Sequence, residues 1–194
     1  VTLKNRAVAG PLRPEVDPWE LLPAGPIRQM SSTAYIGLGT NLGDRGANFR
    51  KAIELVGQLP GTRITRHSSV YESEPHGRAR NWFVNGVIEI HTDLDPLELL
   101  KALQKIEIAM GRKKPAKGEG NHKKAADKNV SRVIDLDILL YGTQIVDERK
   151  LKIPHPELPN RKFVLLPLSE LAPAYLHPIR SATVSELLVA CKDD

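Results

Sequence analysis

The segment SRVIDLDILLYG, residues 131–142, decides the predicted fold because apolar residues in it surround two evenly spaced carboxylates. Val, Ile, Leu and Tyr are enriched in β-strands, so the segment is predicted to be a strand. In a strand, residues i and i+2 point to the same face. Asp135 and Asp137 are therefore expected to project together, close enough to share a cation.

Two carboxylates on one face of an apolar strand repel each other and lose hydration, which is costly without a compensating cation. Mg²⁺ prefers oxygen ligands and is often held by one or two carboxylates together with substrate phosphates. The pair therefore indicates a magnesium–polyphosphate site. The alternative from spacing alone is an edge strand whose polar face lies in water, because Asp-x-Asp is a weak motif.

The composition is that of an ordinary globular protein, since 41% of the 194 residues are hydrophobic and 26% are charged. No apolar stretch approaches the roughly 20 residues that span a bilayer. A formal charge of +5 could suit nucleic acid, but much of the excess lies in Arg112–Lys128 and only 5% of residues are aromatic. An anionic small substrate suits this distribution better, and neither nucleic acid nor a membrane is expected as a partner.

Residues 1–32 are predicted to be a tail, because five prolines recur there without helix or strand periodicity. This segment lacks the long apolar core of a signal peptide, and its acidic residues disfavour a transit peptide. Trp19 and the leucines that follow it could still dock on the domain surface. Residues 33–194 form the predicted domain. The single cysteine, Cys191, excludes an internal disulfide and agrees with the expected cytoplasmic location.

Strand and helix signals are mixed along the domain. Strands are predicted over 34–39, 62–71, 82–91 and the Asp-x-Asp segment, and helices over 47–58, 96–110, 165–171 and 183–190. Asp95 is a candidate N-cap, with Pro96 in the first turn and Gly111 after the last. Gly37 and Gly39 lack the third glycine of a dinucleotide fingerprint and are typical of tight packing. Without a sustained βαβ rhythm, an α+β sandwich is favoured over a doubly wound sheet.

Seven motifs occur in the order found in one enzyme family. They are Tyr35–Asp44 (YIGLGTNLGD), Ser68–Ser73 (SSVYES), Trp82–Asn85 (WFVN), Ile106–Arg112 (IEIAMGR), Arg132–Leu139 (RVIDLDIL), Ile153–Pro156 (IPHP) and Arg161–Leu168 (RKFVLLPL). Through these motifs, residues 33–190 closely resemble the 6-hydroxymethyl-7,8-dihydropterin pyrophosphokinase family of folate biosynthesis. Seven ordered motifs are far more specific than any single one.

The resemblance implies a reaction in which the pyrophosphoryl group of MgATP moves to the hydroxymethyl oxygen of 6-hydroxymethyl-7,8-dihydropterin, with release of AMP. It implies ATP and this pterin as partners, and two Mg²⁺ ions bound with ATP. It also implies an α+β fold, namely a three-layer α/β/α sandwich on a mainly antiparallel sheet with a ferredoxin-like element. A monomer is expected.

The resemblance also implies roles for individual residues. Asp135 and Asp137 would hold the metal ions, and Arg112 would be catalytic together with them. The implied ATP-binding residues are Gln104, Glu107, Arg112, Lys114, Arg132, Ile138, His155 and Arg161. The implied pterin-binding residues are Ser73, Pro75, His76, Phe83, Asn85 and Phe163. From the residues alone, His155 could equally be a loop histidine braced by prolines, and either phenylalanine a core residue.

The lysine-rich segment 112–130 departs from the family pattern. Lys114 stands where a second arginine is usual, and lysine keeps the charge but loses the fork geometry of arginine. The segment is also longer than usual, and it is predicted to be a lid that closes over the phosphates. The alternative for its inserted part is a solvated loop. Two other functions remain open from sequence, a non-catalytic pterin- or nucleotide-binding paralogue and a nucleic-acid-binding module.

Overall fold

The computed structural model describes residues 31–74, 81–112 and 132–193. Its strands are β1 (Ser32–Thr40), β2 (Thr62–His67), β3 (Tyr71–Ser73), β4 (Phe83–Thr92), β5 (Asp135–Tyr141), β6 (Val146–Asp147) and β7 (Lys152–Ile153). Its helices are α1 (Arg45–Gly57), α2 (Pro96–Ala109), α3 (Lys162–Leu171) and α4 (Val184–Ala190), with a 3₁₀ turn at Leu158–Asn160. None of the helices in these three ranges is long and apolar enough to cross a membrane.

A five-stranded antiparallel sheet forms the centre of the domain, with the strand order β2-β4-β1-β5. Strand β3 pairs with the end of β4 that β2 leaves free. The succession β1-α1-β2-β4-α2-β5 with this strand order is a ferredoxin-like element, as predicted. Strands β6 and β7 form a separate two-stranded sheet that the sequence did not predict.

Helices cover both faces of the sheet, which confirms the three-layer α/β/α sandwich. Helices α1 and α2 pack on one face and helices α3 and α4 on the other. The α1/α2 face buries a core that includes Ile36, Leu38, Phe49, Ile88, Leu99, Leu103, Leu136 and Ile138. The α3/α4 face buries a smaller core that includes Tyr35, Val87, Leu139, Leu165, Leu168 and Leu187.

Helix α2 begins where its sequence predicted. The Asp95 carboxylate accepts a hydrogen bond from the Glu98 N–H, and the Glu98 carboxylate accepts one from the Asp95 N–H. This reciprocal capping box satisfies two backbone donors that have no partner within the helix. Pro96 fits the first turn because a backbone N–H would be unpaired there. Gly111 follows the helix with a φ of 110°, which side-chain-bearing residues rarely adopt.

The prediction of one strand over 62–71 is wrong, because β2 ends at His67 and β3 begins at Tyr71. Ser68 lies at the break, where its hydroxyl accepts from the Val87 N–H at 2.9 Å and donates to the Ser69 carbonyl at 2.7 Å. Side-chain bonds of this kind compete with regular strand pairing. Helix α3 begins at residue 162 instead of 165, and β5 begins at residue 135, four residues after the start of the predicted segment. The remaining predicted boundaries fall within two residues of the observed ones.

The two faces of β5 differ in character, as the alternation in its sequence predicted. Asp135 and Asp137 line a pocket on the α3/α4 face. Leu136 and Ile138 lie in the core on the α1/α2 face. The pairing of β5 with β1 then skips Leu139, and this bulge ends the strict alternation beyond the two carboxylates.

Candidate active site

A pocket of about 340 Å³ opens on the α3/α4 face of the sheet, over strands β1, β4 and β5. Gly37 and Gly39 of β1 form part of its floor and bring no side chain into it. A Cβ atom on Gly39 would lie 3.3 Å from the Asn85 Oδ1, and one on Gly37 would lie 3.3 Å from the Leu139 side chain. The two glycines therefore keep the floor open, and the volume is within the range of small-molecule sites.

Asp135 and Asp137 project into this pocket from the same face of β5. Burial raises the pKa of Asp137 to about 7, and the negative charges of Asp135 and Glu107 add to the shift. The positive charges of Arg132 and Arg161 act in the opposite direction without offsetting it. Asp137 is therefore a desolvated carboxyl group beside two other carboxylates, and the nearby arginines do not restore its ordinary pKa.

Two arginines contact Asp135. Arg132 donates from Nη1 to the Asp135 Oδ1, and the Arg112 Nη1 lies 3.5 Å from the same oxygen. Arg112 also donates to the Glu107 Oε2, while the Glu107 Oε1 accepts from the Leu136 N–H at 2.9 Å. Glu107 is 3% exposed, and burial raises the pKa of its carboxyl group. Glu107 therefore joins helix α2, Arg112 and strand β5 at one point.

Asn41 fixes the backbone that leads into β5, and the sequence did not single it out as a site residue. Its side chain is 2% exposed. The Asn41 Oδ1 accepts from the Arg132 N–H at 2.7 Å, and the Asn41 N–H donates to the Arg132 carbonyl at 3.1 Å. Asn41 also exchanges side-chain to backbone bonds with Asn81 at 3.4 and 3.2 Å. The signal that could have found it is its place in the motif Tyr35–Asp44.

His155 and Arg161 line the same pocket. The His155 N–H donates to the Leu139 carbonyl at 2.9 Å, so this loop follows the edge of β5. The His155 Nδ1 accepts from the Glu157 N–H at 3.2 Å, which orients the ring. The Arg161 Nε lies 3.7 Å from the Glu157 Oε2, and its guanidinium lies 5.7 Å from the centre of the Phe163 ring. That position is within cation–π range.

Four of the six residues predicted to bind pterin line the same cavity, namely Ser73, Phe83, Asn85 and Phe163. Asn85 is 5% exposed and pairs with Gly39 across β1 and β4. Its Nδ2 donates to the Ser73 Oγ at 2.8 Å, and its Oδ1 lies beside Gly39 at the floor. Phe83 begins β4 and Phe163 lies in the first turn of α3, and both line the pocket. An oriented amide with two aromatic rings suits a flat heteroaromatic ligand.

Four predicted residues of the described ranges do not line this pocket, namely Gln104, Glu107, Arg112 and Ile138, although Arg112 contacts the lining residue Asp135. Gln104 is exposed on α2, three residues before Glu107, and the Ile138 side chain packs in the core at 3% exposure. The Leu136 N–H points away from β1, because it donates to Glu107. Backbone groups two residues apart in a strand point to the same side, so the Ile138 backbone also faces the outer edge of β5.

Several predictions concern residues that lie wholly or mostly outside the described ranges. They are the predictions for Pro75, His76, Lys114, the tail 1–32 and the lid 112–130.

Asp193 also lines the pocket, although its sequence context gave no sign of a role there. Helix α3 begins after Arg161, whose side chain makes no capping bond. Instead, the Asp193 Oδ2 accepts from the Lys162 N–H at 3.0 Å. A carboxylate at a helix N-terminus satisfies a free N–H and interacts favourably with the helix dipole. Asp193 therefore fixes the turn that carries Arg161 and Phe163.

A family model of 7,8-dihydro-6-hydroxymethylpterin-pyrophosphokinase (HPPK) matches residues 35–173. The chain belongs to the HPPK family. The matched residues contain all seven motifs, from Tyr35 to Leu168, so the resemblance noted in the sequence is confirmed.

Relatives of known function agree with this assignment. The 2-amino-4-hydroxy-6-hydroxymethyldihydropteridine pyrophosphokinase of Pseudomonas aeruginosa is 39% identical over 84% of this chain and 93% of that protein. The protein of the same name from Bacillus subtilis is 38% identical over 73% of this chain and 79% of its own length. Folic acid synthesis protein fol1 of Schizosaccharomyces pombe is 37% identical over 80% of this chain, which is 20% of that longer protein.

Solved HPPK-DHPS structures share the fold. The crystal structure of Plasmodium falciparum HPPK-DHPS with pteroate has a TM-score of 0.62 and 16% identity, covering 82% of this chain and 42% of the solved chain. An HPPK-DHPS in complex with substrates has a TM-score of 0.61 and 15% identity over 83% of this chain and 43% of its own. The chain thus spans less than half of these solved chains, and identities this low show the fold alone.

HPPK membership identifies the reaction. The chain is an ATP-dependent pyrophosphokinase that transfers a pyrophosphoryl group to hydroxymethyldihydropterin in folate biosynthesis. The predicted function and enzyme class are therefore confirmed and favoured over a non-catalytic paralogue.

Proposed function

We propose that the pocket on the α3/α4 face is where HPPK transfer takes place, with the ATP phosphates and the pterin side by side over Gly37 and Gly39. The observation that carries this proposal is that paired carboxylates and an amide–aromatic cluster line one cavity. Pyrophosphoryl transfer with release of AMP requires the hydroxymethyl oxygen to attack the β-phosphorus while the bond to the α-phosphate oxygen breaks. Both substrates must therefore meet in a single pocket.

Asp135 and Asp137 fit a divalent-cation site. Their carboxylates share a face of β5, and the raised pKa of Asp137 reflects burial together with the negative charges of Asp135 and Glu107. A donor set of carboxylate oxygens suits Mg²⁺, and two ions bound with ATP are assigned to this pair. When bound, Mg²⁺ supplies charge neutralisation for the phosphates and lowers the pKa of a coordinated hydroxyl.

The arginines around Asp135 are assigned to the ATP phosphates. Arg112 and Arg132 contact the Asp135 carboxylate, and their guanidinium groups would be available to phosphate oxygens if that carboxylate held a cation. Glu107 holds Arg112 at the edge of the site, so Arg112 is placed to stabilise charge on the transferring group. The remaining phosphate contacts are assigned to Lys114, His155 and Arg161.

The nucleoside end of ATP is assigned to the outer edge of β5. Ile138 presents backbone groups there, and α2 carries Gln104 and Glu107 on the same side. Free backbone donors and acceptors at a strand edge can bond a ligand as they would bond another strand. The buried Ile138 side chain takes no direct part in this contact.

The amide–aromatic cluster is assigned to the pterin. The Asn85 amide is held by Ser73 and offers its Oδ1 to donor groups on the pyrimidinone edge. Phe83 and Phe163 are placed to stack on the ring. Ser73, Pro75 and His76 complete the assigned pterin contacts. A monomer is proposed as the active form.

AMP production from ATP tests the assignment of this site. AMP should form only when 6-hydroxymethyl-7,8-dihydropterin and Mg²⁺ are both present, and chelation by EDTA should stop it reversibly. The same assay on Asp135→Asn and Asp137→Asn should show loss of turnover with retained folding by circular dichroism. Parent-like turnover in both variants would place the metal site elsewhere.

A further inference from the structure

Strand β3 is three residues long, yet it carries a residue of the pocket. Within the described ranges it pairs with β4 alone, in the register Tyr71 opposite Asn85 and Ser73 opposite Phe83. A strand this short contributes few ladder hydrogen bonds and needs side-chain contacts to hold its position. Of the motif that contains it, Ser68–Ser73, only Ser73 has a role in the site described above.

Glu170, near the end of helix α3, supplies such contacts. Its Oε2 accepts from the Ser69 N–H at 2.8 Å, and its Oε1 accepts from the Tyr71 hydroxyl. The hydrogen bond from the Ser69 backbone, followed by that from Tyr71, lowers the pKa of the Glu170 carboxyl. Glu170 lies seven residues after Phe163, about 10 Å along the helix, so it stands outside the pocket.

The other side of β3 is tied less firmly. The Glu72 Oε1 lies 2.9 Å from the Arg45 Nη2, but both side chains are substantially exposed. Exposed ion pairs contribute little because water and salt screen them. Glu170 is exposed as well, but its carboxylate accepts from both the Ser69 backbone and the Tyr71 hydroxyl. These two bonds tie the backbone before β3 and the first residue of β3 directly to α3, whereas Arg45 contacts β3 through a single side-chain pair.

One side-chain hydrogen bond connects β3 to the residues of the ligand pocket. The Ser73 Oγ accepts from the Asn85 Nδ2 at 2.8 Å, which decides which end of the amide faces the cavity. The Asn85 Oδ1 is then left beside Gly39 as an acceptor. A shift of β3 would break the bond between Ser73 and Asn85 and allow the Asn85 amide to rotate. The rotated amide would present its Nδ2 donor to the pterin in place of the Oδ1 acceptor.

We propose that Glu170 is a positioning residue for the pterin half of the site, acting through Tyr71, β3 and Ser73 on the Asn85 amide. This inference rests on the proposed assignment of Asn85 to the pterin. Glu170 also ties β3 to the helix that carries Phe163, so one carboxylate sets the spacing between the amide and an aromatic wall of the same pocket.

Steady-state kinetics with each substrate varied in turn test the proposal. Glu170→Ala should raise KM for 6-hydroxymethyl-7,8-dihydropterin by roughly three- to tenfold, the equivalent of losing about one ordinary hydrogen bond. KM for MgATP should stay within about twofold of the parent value. Tyr71→Phe should give a smaller shift in the same direction, and Glu170→Gln, which keeps one acceptor for the Ser69 N–H, should recover part of the loss.

Glu186→Ala is the matched control. Glu186 is an exposed carboxylate in the same helical layer, and it accepts bonds only from Thr183 at the start of its own helix among the described contacts. It should lower the melting temperature slightly and leave both KM values unchanged. If Glu186→Ala raised the pterin KM as much as Glu170→Ala does, the effect would be a general loss of rigidity in the helical layer. That result would overturn the proposal.

Asn85→Ala separates the failure of this inference from failure of the assigned site. If Asn85→Ala raises pterin KM and Glu170→Ala does not, Glu170 is a structural cross-link and the inference is wrong. If neither variant changes pterin KM, the pterin assignment itself is wrong. Equal rises in pterin and ATP KM for Glu170→Ala would also exclude a selective positioning role.

Discussion

Glu89 and Asp137 project from the same face of one sheet, yet their carboxyl groups have opposite properties. Hydrogen bonding from Arg66 lowers the pKa of Glu89 to about 2, with further bonds from Thr65 and Tyr35. Burial raises the pKa of Asp137 to about 7, and no hydrogen bond from the described residues counters it. The Glu89 carboxylate is stabilised by hydrogen bonds within the protein, whereas the Asp137 carboxyl group is the proposed site of a bound cation.

The difference between the two carboxyl groups suggests a division of this sheet face into a structural end around Glu89 and the proposed functional end around Asp137. At the Glu89 end, Tyr35 packs edge-on against Tyr175, which lies between α3 and α4, with ring centres 5.9 Å apart. At the Asp137 end, Gly37 and Gly39 remove side chains and leave a cavity. Stability is expected to depend on the first region and catalysis on the second, because unsatisfied charge costs folding energy but favours binding of a cation.

The largest expected effect is on catalysis at the Asp137 end. Asp135→Ala or Asp137→Ala should abolish AMP formation, because losing a metal ligand costs several kcal/mol of transition-state stabilisation. Circular dichroism should show an intact fold in both variants. Turnover near the parent rate with saturating Mg²⁺ would remove these residues from the catalytic machinery.

The same site should also oppose stability in the metal-free protein. A carboxyl group whose pKa is raised from 3.8 to about 7 in the fold makes the protein less stable as pH rises through that window. Asp137→Asn should therefore raise the melting temperature of the metal-free protein at pH 8, and Mg²⁺ should stabilise the parent but not the variant. A lower melting temperature for Asp137→Asn at pH 8 would contradict this account.

The next effect is on stability at the Glu89 end. Glu89→Gln should lower the free energy of unfolding by about 2 kcal/mol, because hydrogen bonds from three neighbours to a charged acceptor are weakened. Turnover per folded molecule should stay near the parent value. Denaturant titration and the AMP assay on one preparation measure both quantities, and a selective loss of turnover would break the division between the two ends.

The pH dependence of stability should also reveal the contribution of the Glu89 carboxylate. The folded pKa of Glu89 lies below its ordinary value of 4.5, so its contribution is complete above that pH and is lost as pH falls toward 2. Denaturant midpoints between pH 6 and pH 3 should fall more steeply for the parent than for Glu89→Gln. Parallel curves for the two proteins would show that Glu89 does not contribute in this way.

A smaller effect is expected for the pterin part of the pocket. Asn85→Ala should weaken pterin binding by roughly 1–3 kcal/mol, because polar groups of the ligand lose their partner in a closed site. ATP binding should change less, since the phosphate contacts are untouched. Calorimetry with each ligand measures this, and equal losses for both ligands would count against a pterin role for Asn85.

The smallest effect is expected at Asp193. Asp193→Ala should destabilise the start of α3 by about 1 kcal/mol and weaken both substrates slightly, because Arg161 and Phe163 lie in that turn. Asp193→Asn should behave like the parent, since asparagine also caps helices. Tighter ATP binding in Asp193→Asn than in the parent would show that the negative charge matters more than the cap.

Local sequence was enough to predict most of the helices and strands and the shared face of the paired aspartates. Alternation around Asp135 and Asp137 predicted their shared face, and Asp95 with Pro96 predicted the start of α2. Both are short-range effects of backbone geometry and of side-chain bonds within one turn. Together with the seven ordered motifs, they also predicted the family and its reaction.

Only the tertiary structure showed the contacts between distant parts of the chain. Asn41 bonds Arg132, 91 residues away, and Glu170 bonds Ser69, 101 residues away. Asp193 caps a helix that begins at Lys162, and the break after His67 follows from the Ser68 bond to the neighbouring strand. None of these follows from local propensity, because each partner is brought within hydrogen-bonding distance by layer packing and strand register. The sequence by itself therefore determined the family and its reaction and indicated the residues proposed for the chemistry, and the folded layers decided which residues hold them in place.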